Sequence, residues 1–147
     1  MGSSLILRGG SSIQKTLSES IAQAHSFSVG NVLRYNLTTS SYVLAQANSA
    51  ENSEVIGVVS AVNSTVGFTI VYSGYIELSG LASIAAPVLF LSGTTAGAVS
   101  VTPPSAIGSV IKPVLSKNTN GSGYVVINYL GTPVSYTHLT LPTKRIV

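Results

Sequence analysis

The sequence predicts an all-β chain: a small β-barrel or β-sandwich of about eight short strands with a pseudo-twofold internal repeat. Two observations carry this. Short runs rich in Val, Ile and Tyr are separated by Gly-, Asn- and Ser-rich turn signals at intervals of about 8–12 residues. The runs also recur as two loose copies of one unit, over residues 32–73 and 88–129.

The first copy reads Val32-Leu33-Arg34-Tyr35, then Tyr42-Val43-Leu44, then Glu54 to Val59, then Gly67 to Tyr72. The second reads Val88-Leu89-Phe90-Leu91, then Ala98 to Val101, then Ala106 to Ile111, then Gly123 to Asn128. In each, the third run holds an Ile-Gly pair, Ile56-Gly57 and Ile107-Gly108, and the fourth opens on Gly plus an aromatic. The pattern predicts equivalent, sterically tight positions for Gly57 and Gly108, since Gly in mid-strand is otherwise costly. Ser73-Gly74-Tyr75 predicts a sheet that continues through a Gly bulge. Pro103-Pro104 ends a strand, and Asn118 to Gly123 reads as a hairpin tip.

Three regions follow. Residues 1–24 form a flexible or extended N-terminal arm. Within it Ile13, Leu17 and Ile21 recur every fourth residue, which fits two helical turns over Thr16 to Ala24 or a leading strand. Residues 25–133 form the β-domain. Residues 134–147 form a non-native tail: Val134 to Thr143 resembles, codon for codon, one frame of the transposase adapter used in sequencing libraries. That resemblance implies a gene fragment cut near residue 133, so His138 and Tyr136 receive no functional weight.

Composition narrows the function. Asp, Glu, Lys and Arg make up 7% of the chain, against about 25% in an ordinary soluble domain, and Asp is absent. Such a surface suits a component of an assembly better than a free monomer. The net charge of +3 owes much to Lys144 and Arg145. Residues 1–133 carry Arg8, Lys15, Arg34, Lys112 and Lys117 against Glu19, Glu51, Glu54 and Glu77, a balance of +1. No basic stripe for nucleic acid forms from these. The most apolar stretch, Leu78 to Leu91, is broken by Ser79, Gly80, Ser83 and Pro87 and falls short of a membrane span.

Catalysis finds little support. Cys is absent, and residues 1–133 hold one His. A Ser-His-acid triad would rest on His25, with no strand-to-helix nucleophile elbow to present the Ser. Glu51 and Glu54 sit in a loop and read as solvated acids. Metal ligands and a phosphate-cradling Gly loop are both missing, so neither a metal nor a cofactor is expected. Tyr is the dominant aromatic. Its ring buries while its hydroxyl stays wet, which suits sheet faces and contact surfaces. Tyr42, Tyr75 and Tyr124 are the candidate surface-contact residues.

The stretch Ala24-His25-Ser26-Phe27-Ser28-Val29-Gly30-Asn31-Val32-Leu33 resembles the "HG-hydrophobic-x-x-GD-x-V" opening motif of bacteriophage tail-fibre and virion structural modules. Further landmarks follow in the same order: Tyr42 to Ala47, Glu54 to Val59, Phe68 to Ile70, Ser73 to Ile76, Leu78 to Leu81, Val88 to Ser92, Gly108 to Val114 and Val125 to Gly131. The likeness covers roughly 25–131. A more distant one is to phage capsid decoration proteins. Ser26 stands for the usual Gly and Asn31 for the usual Asp, and both still serve a turn. The resemblance implies a non-enzymatic virion component, on a tail fibre or the particle surface. It also implies a homo-oligomer, most often a trimer, that contacts other virion proteins and a host-surface glycan or protein. Two alternatives are a secreted carbohydrate-binding module using the tyrosines, and an accessory domain of a truncated enzyme.

Overall fold

The computed structural model describes residues 15–118, 121–127 and 131–134, and every regular element longer than a single 3₁₀ turn is a strand. In chain order the strands are β1 (Thr16–Ala22), β2 (Val32–Asn36), β3 (Ser41–Leu44), β4 (Val55–Ser64), β5 (Gly67–Glu77), β6 (Val88–Leu91), β7 (Val99–Ser100), β8 (Val110–Ile111), β9 (Pro113–Lys117), β10 (Ser122–Val125) and β11 (Thr132–Pro133). A 3₁₀ turn at Leu81–Ser83 joins β5 to β6.

The main sheet is antiparallel in the order β3-β2-β4-β5-β10-β9-β6-β7, with β1 added to β5. Its two halves repeat one pairing scheme. In the first, β2 pairs with β3 and β4, and β4 pairs with β5. In the second, β6 pairs with β7 and β9, and β9 pairs with β10. The halves meet where β5 pairs with β10, at Tyr75 opposite Tyr124. The irregularities repeat as well. Val55 and Gly57 face Arg34 and Leu33, leaving Ile56 as an extra residue. Pro113 and Leu115 face Phe90 and Leu89, leaving Val114 as one. An extra residue at the same point of each half bends each third strand alike and adds local twist.

This corrects one feature of the sequence repeat. The third strand of the second half is β9, not Ala106 to Ile111. Ile107 and Gly108 lie in an exposed turn, Gly108 has φ +91°, and a Cβ there would meet nothing within 4 Å. Gly57 and Gly108 are therefore not equivalent. The Ile-Gly echo misled because Gly serves two purposes: left-handed backbone in one place and close approach in the other.

The sheet curls around one core. Val32, Val55, Val58, Val71, Ile76, Leu89, Leu91, Val114, Leu115 and Val125 pack together from both halves with Leu81, Ala45 and Ala47. The connection after β3 ties the far ends of the sheet. Ala47 N–H donates to Ser92 O at 2.8 Å, Gly97 N–H to Ala45 O at 2.6 Å, and Val110 N–H to Ala47 O at 3.0 Å. The segment holding Ala45 and Ala47 thus joins the two halves by backbone bonds, which satisfies main-chain groups that burial would otherwise strand.

Phase along β5 explains a second core on the outer face of the first half. Leu17 faces Ser73 and Ser18 faces Val71, so Tyr72 is an extra residue, and two positions on Gly74 has φ +99°. The bulge lets one strand of eleven residues serve both halves. Phe68 and Ile70 pack outward with Leu33 and Val59, all fully buried, beneath Ile21, Phe27, Tyr42, Leu44, Ile56 and Tyr72. His25 stacks on Phe27 at 5.1 Å and meets Phe68 edge-on at 5.0 Å. Its Nε2 lies 3.1 Å from Gly67 O, and Phe27 N–H donates to its Nδ1 at 2.9 Å. A carbonyl at one nitrogen and an N–H at the other select the Nε2-protonated tautomer. His25 is thus a structural clamp in this packing.

Of the N-terminal arm, residues 15–24 fall among those described. Residues 16–22 are β1, laid along β5 from Gly67 to Gly74, rather than helical turns. Gln23 then acts as a surrogate strand. Its Nε2 donates to Tyr42 O at 2.9 Å and its Oε1 accepts from Tyr42 N–H at 2.8 Å. One side chain closes the gap between the end of β1 and β3. Gln23→Leu keeps the bulk but strands both groups of a half-buried backbone, and is expected to cost about 1–3 kcal/mol in a denaturant titration. Of the tail, Val134 extends the β8–β11 pair: its N–H donates to Ser109 O at 2.8 Å, and its O accepts from Gly108 N–H at 3.1 Å. The rest of the tail, with Tyr136 and His138, lies outside the described residues.

Candidate contact surface

The seam between the halves places a row of apolar side chains on the outer face. Past the Tyr72 bulge, Ser73, Tyr75 and Glu77 point away from the core to which Val71 and Ile76 belong. Tyr75 sits opposite Tyr124, and Leu17 opposite Ser73 on the other side of β5. Leu17 is 62% exposed, Tyr124 41% and Val126 45%. Leu17, Tyr75, Tyr124 and Val126 thus lie side by side across β1, β5 and the β10 segment. Isolated exposed apolar residues are ordinary, but a contiguous row across three neighbouring strands is the mark of a contact surface.

The row is rigidly held. The rings of Tyr75 and Tyr124 meet edge to face at 6.0 Å. The Tyr75 hydroxyl donates to Glu77 Oε2 at 2.6 Å, and its pKa is raised above the usual tyrosine value, first by that carboxylate acceptor and then by burial. On the β1 side, Tyr75 N–H donates to Lys15 O at 3.0 Å and Thr16 Oγ1 donates to Tyr75 O at 3.1 Å. Ordering these groups in advance lowers the entropy a partner must remove on docking.

Sequence reasoning named Tyr42, Tyr75 and Tyr124. The structure brings Tyr75 and Tyr124 together and places Tyr42 elsewhere. Tyr42 packs edge-on against Phe68 at 5.7 Å and against Tyr35 at 5.1 Å. Its hydroxyl lies 2.7 Å from that of Tyr72, which donates to Glu19 Oε1 at 2.6 Å. Burial, then these hydrogen bonds, raise the Tyr72 pKa above its ordinary value. This chain of hydroxyls ties β1, β5 and β3 together and makes Tyr42 chiefly a packing residue. Leu17, Glu77 and Val126 were not named from sequence as contact residues. Their signal was present in the alternation Tyr75-Ile76-Glu77 and Tyr124-Val125-Val126, but only the strand register aligns it.

The ionisable groups lie apart. Arg34 approaches Glu51 at 3.9 Å. Lys117 Nζ donates to Ala82 O at 3.2 Å and to Ile84 O. Lys112 is buried, and desolvation lowers its pKa against the opposing pull of Glu54. Among the described residues no group of three His, Asp or Glu side chains is placed to hold a metal ion, and no helix is long and apolar enough to cross a membrane. No protein-family model, no curated protein and no solved structure matches the chain.

Proposed function

We propose that the protein is a non-enzymatic structural module of a phage particle, in a tail fibre or as a surface decoration, and that it assembles with copies of itself as a trimer. The observation that carries this is the exposed row Leu17, Tyr75, Tyr124 and Val126 on the face where the two halves join. The sparse charge of the chain supports the same reading: few ionic groups remain to keep a free surface soluble, while Ser and Thr hydroxyls suit surfaces that meet other protein. Tyr is enriched in the cores of interfaces for the reason it suits this face, an apolar ring with a polar tip. The ordered resemblance over roughly 25–131 supplies the virion context, in which the exposed turns are free to meet a host surface. Light scattering on the full chain at tens of micromolar tests the assembly. A trimer is expected, and a monodisperse monomer overturns the reading.

A further inference from the structure

The second half carries a cleft that the assembly reading does not use. It opens between the end of β6, the end of β7 and the turn at 102–109, with a volume of about 250 Å³. None of its lining residues is ionisable or aromatic, and six carry hydroxyls: Ser92, Thr94, Ser100, Thr102, Ser105 and Ser109. Its two strand ends are built alike. Ser92 Oγ accepts from Thr94 N–H at 3.2 Å and lies 3.4 Å from Thr94 Oγ1. Ser100 Oγ accepts from Thr102 N–H at 3.2 Å and lies 3.3 Å from Thr102 Oγ1. Each hydroxyl pair is fixed by backbone, and each keeps unused hydrogen-bonding capacity.

Two features leave the cleft free to take a ligand. Ser109 is only 5% exposed and lines the cleft, and no described residue hydrogen-bonds its Oγ, which stays in contact with solvent. A hydroxyl held in this way can exchange its water for a ligand hydroxyl at little cost. At the floor, a Cβ on Gly93 would lie 3.0 Å from Pro104 Cβ and 3.6 Å from Ser109 Oγ, so the missing side chain is what keeps the space open. The Gly93 carbonyl is fixed separately, by Gln46 Nε2 at 2.9 Å.

We infer that this cleft between β6, β7 and the 102–109 turn binds one neutral sugar residue, with Ser109 Oγ and the two Ser–Thr hydroxyl pairs hydrogen-bonding its hydroxyls. The lining excludes the other classes. An anion would find no cation, and an apolar ligand would leave the hydroxyls unpaired. The volume lies below the range usual for drug-sized ligands and suits a single ring. Without an aromatic platform the affinity for one sugar is millimolar, and repeated sites in an oligomer raise it through avidity. The inference stands on the cleft alone: a failed titration leaves the assembly reading in place, and a monomeric protein leaves this one in place.

Amide NMR of the full chain, titrated separately with D-glucose, D-galactose and N-acetyl-D-glucosamine, tests it, with inorganic phosphate as a charged control. At least one sugar is expected to give saturable shifts at Gly93, Ser105 and Ser109, and phosphate none. Gly93→Ala fills the floor and is expected to weaken that binding by about tenfold or more. Ser109→Ala, which removes one hydroxyl without adding bulk, is expected to weaken it several-fold and keeps the test open if Gly93→Ala does not fold. Absence of saturation with all three sugars overturns the inference. So does undiminished binding in Ser109→Ala, or a set of shifts centred on Tyr75 and Tyr124.

Discussion

Phe68→Ala is expected to destabilise the protein by about 3–5 kcal/mol, the range for truncating a fully buried aromatic. Phe68 is completely enclosed on the outer face of the first half, with His25 and Phe27 edge-on at 5.0 and 5.1 Å and Tyr42 at 5.7 Å. The surrounding groups cannot close the gap cheaply. His25 is held at both nitrogens, and Tyr42 is held by Gln23 through its backbone and by Tyr72 through its hydroxyl. A rigid wall leaves a cavity, and the cavity adds to the lost transfer energy. Equilibrium denaturation by urea measures this. A loss below about 1 kcal/mol would mean that the segment over residues 21–27 is not packed as described.

Gly57→Val is expected to cost at least as much as ordinary overpacking, about 1–3 kcal/mol, and to lie at or above the top of that range. A Cβ at Gly57 would stand 2.6 Å from Val71 O and 2.7 Å from Ile70 Cγ1. The first contact is with backbone in the neighbouring strand, so no rotamer change relieves it. The β4–β5 ladder itself must move, and with it Val58 opposite Val71 and Val59 opposite Ile70. Gly57→Ala already meets the carbonyl and is expected to destabilise. A neutral Gly57→Ala in the same denaturation experiment would contradict this packing.

The fold class was legible because β-structure writes a period of two and leaves turn residues between runs. Val32 to Tyr35, Tyr42 to Leu44 and Val88 to Leu91 could be placed as strands for that reason. The repeat was legible as a sequence of strands but not as an alignment. Pro113 to Lys117 was overlooked as the third strand of the second half, since a strand that begins on Pro resembles a turn, while Ala106 to Ile111 imitates Glu54 to Val59 in composition. Pairing supplies what composition lacks: the extra residues Ile56 and Val114 match by register even though their surroundings in sequence differ.

The candidate surface was half legible. Tyr75 and Tyr124 could be named from residue type, yet nothing local says that they face each other, because residues 75 and 124 meet only through the junction of the two halves. Leu17 belongs to the same face for an equally non-local reason, the pairing of β1 with β5. Tyr42 has the same composition cue as the other two, and only the Gln23 bridge and the Tyr72 hydroxyl reveal that it is committed to packing. The hydroxyl-lined cleft left no cue at all, because Ser and Thr are spread along the whole chain.

In the proposed assembly the face carrying Leu17, Tyr75, Tyr124 and Val126 joins copies of the chain. The measurement that tests it most directly is the solution mass of Tyr124→Glu beside that of the unaltered protein, by light scattering at matched concentration. A carboxylate on this exposed position is tolerated by a free sheet surface, while burying it in an apolar contact without a partner is costly. A trimer is expected for the unaltered protein and a monomer for Tyr124→Glu, with the same β-rich circular dichroism spectrum. A trimer that survives Tyr124→Glu unchanged would contradict it.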